Sequence, residues 1–137
     1  MAFSASEASA AAGKGDSVIG WKLDRGQRAE LLQQFPPRYG EVDADHVTLK
    51  TNAAPDAPLP EEDLGEIVGR GDDGRGVEAM VVSIGGTVDR PDGSLYHITW
   101  SLGPGRNAHE SNKVLAARDW TPFDLPMPVK LDPARWP

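Results

Sequence analysis

The chain has 137 residues, a formal charge of −7 at neutral pH and a sequence pI near 4.8. It contains no cysteine, which excludes disulfides, thiolate zinc sites and a cysteine nucleophile. It shows no basic stripe for tracking a long phosphate backbone, and no apolar run approaching the ~18 residues of a transmembrane helix.

The first sixteen residues are dominated by Ala, Ser and Gly and lack the basic and apolar regions of a secretory signal. They are expected to form a flexible N-terminal arm, residues 1–16, ahead of a single domain at residues 17–137. The default location is cytoplasmic. Residues 17–23 have the β-branched and aromatic character of a strand. Asp24 reads as an N-cap with Gln27 in capping-box position. The helix should run to about Phe35, burying Leu31, Leu32 and Phe35, and Pro36-Pro37 stops it. Arg38-Tyr39-Gly40 turns, and Val42 leads into a strand over residues 44–51. Residues 52–60 hold three prolines and no periodicity, so they form a loop. Residues 64–70, 76–84 and 94–102 read as strands separated by Gly71-Asp72-Asp73-Gly74, a bend at Gly85-Gly86 and the turn Pro91-Asp92-Gly93. That is an antiparallel meander. Ser111 is a candidate N-cap for a short helix over residues 112–118, and residues 129–131 form a last strand. The layout is α+β.

Two tetrapeptides carry the chemistry, His46-Val47-Thr48-Leu49 and His97-Ile98-Thr99-Trp100, 51 residues apart. On a strand, side chains alternate between faces, so each puts His and Thr on one face and two apolar residues on the other. Two such tetrapeptides on two predicted strands arise by chance in roughly 1% of chains of ordinary composition. Two facing imidazoles divide acid and base work at neutral pH. Two Thr hydroxyls beside them supply neutral donors for phosphate oxygens, where charge develops in the transition state. His46 and His97 are therefore the candidate catalytic pair, and Thr48 and Thr99 the candidate phosphate-binding pair. No metal is expected, because two histidines without further ligands in spacing do not complete a zinc site. Strand alternation puts Asp45 on the face opposite His46. The third histidine, His109, beside a turn, is assigned no role. Trp21 and Trp100 belong to the core.

These motifs resemble the paired signatures of the 2H phosphoesterase superfamily, which includes the LigT-like RNA cyclic phosphodiesterases and the cyclic phosphodiesterase domain of fungal tRNA ligases. A helix ending Phe35-Pro36-Pro37 before the first motif is similar to the tRNA-ligase-type and plant-type members. So is Arg106 followed by Ser111-Asn112 after the second. The resemblance implies a bilobal 2H phosphoesterase fold, with antiparallel sheets and helices on the outer faces around a central cleft. It implies metal-independent hydrolysis of a 2′,3′-cyclic phosphate by His46 and His97, with Thr48 and Thr99 on the phosphate and no cofactor. The expected partner is a small nucleotide or short RNA end bearing a cyclic phosphate, with no DNA duplex and no membrane, met by a monomer. The short spacing between motifs implies a trimmed second lobe. Tyr39 and Tyr96 are candidates for stacking a base, and Lys50 and Arg106 for holding a phosphate. The alternatives are a non-catalytic module that binds a nucleotide or phosphorylated end, an RNA 3′–5′ exonuclease, and a hydrolase of cyclic signalling nucleotides.

Overall fold

The structure is a computed structural model and describes residues 2–117 and 120–137. Its elements are, in order, α1 (Ala5–Ala10), β1 (Ser17–Leu23), α2 (Arg25–Gln34), β2 (Glu41–Val42), β3 (His46–Ala53), β4 (Leu64–Asp72), β5 (Val77–Ile84), β6 (His97–Leu102), α3 (Glu110–Ala116) and β7 (Trp120–Trp136). The seven strands form one antiparallel sheet in the order β2-β6-β5-β4-β7-β1-β3. The α+β layout and the β4-β5-β6 meander agree with the sequence reading.

The long last strand joins the two halves of this sheet. Residues 120–130 of β7 run along β4, and residues 131–136 run along β1. The expected strand at residues 129–131 is only the middle of it. Its other residues include several prolines, which a strand tolerates at edges and bulges. Such a bulge lies between Pro122 and Met127, which sit opposite Gly69 and Ile67. There Phe123 stacks on Phe35 at 5.2 Å between ring centroids.

The sheet curls so that β3, at one end, lies against β6, near the other. The crossing between them is short. The amides of Asp43 and Ala44 donate to the carbonyls of Trp100 and Thr99 on β6, at 3.0 and 2.9 Å. Two residues later the chain enters β3 at His46. Ala44 sits there with φ of +47°, a left-handed conformation that costs a non-glycine residue about 1–2 kcal/mol. Arg28 of α2 holds the kink, donating through Nε to Ala44 O and through Nη2 to Asp43 O, both at 2.8 Å. Val42 does not lead directly into the motif strand as expected. It belongs to the separate pair of residues β2, bonded to β6.

Asp24 caps α2 as read, accepting from the Gln27 amide at 2.9 Å. The Gln27 side chain does not close a capping box. Its amide donates to Pro128 O and its carbonyl accepts from Lys130 N, which ties the helix to β7. Trp21, Trp100 and Tyr96 anchor the core, and both indole N–H groups are satisfied by carbonyls, of Glu62 and Phe35 respectively.

Two further expectations need correction. The N-terminal arm is packed: Ala8 and Ala12 are buried in the main core, and Ser4 and Glu7 close a capping box on α1. Small alanines give that helix an apolar side thin enough to lie on the core. Ser111 is not an N-cap. His109 occupies that position, and Ser111 lies in the first turn of α3 with its hydroxyl turned to Thr99. The expected end of this helix, Arg118, lies outside the described residues.

Gly20 of β1 faces Thr48 of β3, and a Cβ built there would stand 2.2 Å from Val47 O. Backbone cannot move aside as a flexible side chain does. Gly20→Ala is expected to destabilise the fold by about 1–3 kcal/mol. A thermal melt should show the midpoint lowered by several degrees.

Candidate active site

The two motif strands bring their polar faces to one cavity of about 150 Å³. His46, Thr48, Thr51, Arg90, His97, Thr99, Ala108, His109 and Asn112 line it. Both candidate pairs are therefore together, although their strands stand near opposite ends of the sheet. The apolar residues of the motifs do what alternation requires. Val47, Leu49, Ile98 and Trp100 are all buried in the main core.

Each imidazole is oriented through Nδ1. The His97 Nδ1–H donates to Leu95 O at 3.0 Å, since a carbonyl only accepts. This leaves Nε2 for a substrate. Burial pushes the His97 pKa down, and the positive charge of Arg90 and the neighbouring His46 add to that effect. The Leu95 bond and Asp92 act in the opposite direction without reversing it. His97 thus favours the neutral form, with a lone pair on Nε2.

His46 is held differently. Its Nδ1 lies 3.1 Å from Asp45 Oδ2. Burial favours the protonated carboxyl of Asp45, but hydrogen bonds from Lys22, Arg25 and His46 outweigh it and hold the group well below the usual carboxylate range. Asp45 is therefore an acceptor only, and His46 Nδ1 carries the hydrogen. Lys22 Nζ and Arg25 Nη2 sit 2.7 and 2.6 Å from its oxygens. Asp45 does not point away from His46 as alternation implied. β3 begins at His46, so Asp45 lies in the crossing segment, where period-2 alternation does not apply. The Trp136 ring packs against His46 at 4.9 Å between centroids, and Lys22 lies over the same indole.

Thr99 is 7% exposed, and its hydroxyl shares a 2.9 Å hydrogen bond with Ser111 Oγ. Its bond to Ala108 O is longer, 3.3 Å. With Ser111 donating, Thr99 can exchange that weak carbonyl partner for a phosphate oxygen.

No protein-family model, curated protein or solved structure matches the chain.

Four expected substrate contacts are not brought to the cavity. Tyr96 is 2% exposed in the core, edge-on to Trp21, and burial pushes its pKa up to about 12. Tyr39 gives its hydroxyl to Asp72 at 2.6 Å. Arg106 is engaged by Asp73, Glu110 and the carbonyl of Arg75. These two lie in a ladder of buried and half-buried ion pairs away from the motif faces. Lys50 is displaced by a bulge. β1 pairs Ile19 with Lys50 but Gly20 with Thr48, so β3 has one residue extra there. An extra residue shifts the alternation by one, and Thr51 lines the cavity in place of Lys50.

Sequence reasoning missed Thr51, Arg90, His109 and Asn112 in the lining, and Asp45, Ser111 and Trp136 behind it. One signal was available. The chain has three histidines, and all three line this cavity. Nothing in sequence marks the bulge or the approach of the Arg90 turn.

Because the folded chain favours neutral His97, its ring should titrate below the ~6.5 of a free imidazole. Unfolded chains then bind a proton that the folded chain refuses. Stability is fully present above about 6.5 and declines as pH falls from there towards the folded value. NMR titration of the His97 ring protons, assigned by their loss in His97→Gln, should show such a lowered midpoint.

Proposed function

We propose that this chain hydrolyses a 2′,3′-cyclic phosphate on a small nucleotide or a short RNA end. The observation that carries the reading is the convergence of both His-x-Thr faces on one cavity. Its volume, about 150 Å³, is below the ~300–1,000 Å³ of pockets that enclose whole ligands. It suits the reacting phosphate and the nearest ribose atoms, with the base outside.

The Nδ1 partners divide the labour. His97, kept neutral, accepts a proton at Nε2 from the attacking water. The water oxygen bonds to phosphorus as the bond from phosphorus to one ribose oxygen breaks. His46, whose imidazolium the Asp45 carboxylate supports, gives its Nε2 proton to that oxygen. The products are a phosphomonoester and a free hydroxyl. The two histidines then exchange one proton through solvent to regain their starting states. Thr48 and Thr99 donate to the non-bridging oxygens as charge develops there. Ring strain in the cyclic diester and this charge stabilisation suffice without a metal.

In this reading the end of β7, β1 and β3 form one lobe with α2. The strands β4, β5 and β6 form the other with α3, and β3 and β6 are the central strands of a bilobal 2H-type fold. The enzyme works as a cytoplasmic monomer.

The test is turnover of 2′,3′-cyclic mononucleotides and of short RNAs ending in cyclic phosphate, with and without EDTA. EDTA should leave the rate unchanged. His46→Ala and His97→Ala should each lower kcat by about 10²–10⁴-fold. Full turnover in either variant would overturn the mechanism. Asp45→Asn should lower kcat more than it changes KM, since it disturbs the orientation of the acid and not the binding of the phosphate.

A further inference from the structure

We propose that Arg90 is the anion ligand of this cavity, holding a non-bridging oxygen of the substrate's phosphate through Nε. The substrate class rests on the cyclic-phosphate reading. The site itself rests on the residues. Arg90 is 7% exposed and lines the cavity beside His97 and Thr99. Its Nη2 bonds Asp92 Oδ2 at 2.7 Å. Its Nε is buried without a partner.

A guanidinium cannot shed its proton to escape burial. A buried donor on a charged group is destabilising unless it meets an acceptor. The fold nonetheless holds it there. Arg90 N donates to Ser94 O and Gly93 N donates to Arg90 O, both at 2.9 Å, so the turn carrying the side chain is tight. Asp92 stiffens it further, accepting from Ser94 N and Ser94 Oγ through Oδ1. Such a donor, beside an open cavity, fits an anionic oxygen better than any neutral group.

Charge strengthens the point. The chain is acidic overall, at −7, and its field opposes the approach of a phosphate. Among the described residues Arg90 is the only permanently charged side chain lining the cavity. The other lining groups are neutral unless a histidine is protonated. Two threonine hydroxyls orient a phosphate, but Arg90 supplies the charge that draws it in. Asp92 takes up part of that charge.

The experiment measures binding of inorganic phosphate and of a nucleoside 2′-monophosphate by calorimetry, at one pH and ionic strength. Cyclic-phosphate turnover is measured in parallel. Arg90→Gln should weaken both anions by about 10- to 100-fold. Arg90→Lys, which keeps the charge and loses the planar fork, should fall between. Asp92→Asn keeps the Oδ1 acceptor for Ser94 and removes the competing charge, so it should bind both anions as tightly as the wild type or more tightly. This second variant decides the matter if Arg90→Gln does not fold. Unchanged affinity in folded Arg90→Gln, or weakened affinity in Asp92→Asn, overturns the proposal even if turnover is intact. Arg90-dependent anion binding with no turnover of any cyclic phosphate upholds the site and sinks the hydrolase reading alone.

Discussion

The arrangement depends on the short crossing at residues 43–45. Two amides bond to β6, two carbonyls accept from Arg28, and the Asp45 carbonyl accepts from Leu23 N. These bonds force Ala44 into a left-handed conformation and leave the chain no choice but to enter β3 at His46. Two strands remote in sheet order are thereby held against each other. An arginine suits this task because its fork is planar and permanently charged, so it fixes two carbonyls at once. Local strain is tolerated because the surrounding bonds over-determine it.

The same crossing sets up the electrostatics. It delivers Asp45 to the back of His46, where two cations balance its charge. The carboxylate orients and supports the imidazole without filling the cavity with negative potential. On the other side the hairpin between β5 and β6 delivers Arg90 beside His97. Each histidine therefore has a neighbour of opposite sign to the other's. Two chemically identical rings thus stand in different surroundings, a carboxylate behind one and a guanidinium beside the other.

Packing keeps this geometry in register. Gly20 lets β1 approach β3 at Thr48 more closely than any side chain allows. One step along, the bulge in β3 turns Thr51 to the cavity and Lys50 away. Beneath these strands Trp21 and Trp100 fill the core with both indole N–H groups satisfied, so the apolar faces are rigid supports. The cavity is consequently lined by polar side chains of β3 and β6, by the start of α3 and by one buried arginine from a turn.

The sequence by itself determined the alternation of the two motifs, the meander, the cap of α2 and the aromatic core. Each of these follows from local periodicity, turn chemistry or proline stops, which need no knowledge of distant residues. It also marked His46, Thr48, His97 and Thr99 as one set. Only the tertiary structure decided that their faces meet, that Asp45 and Leu95 fix the two rings, and that Arg90 joins them. Tyr96 looked like a stacking residue because it adjoins a motif, yet burial against Trp21 took it into the core. Lys50 looked aligned until an extra residue shifted the strand. Local patterns name the face a side chain takes, whereas closure of the sheet and a bulge set which faces share a cavity, and both arise from long-range pairing that no window of sequence contains.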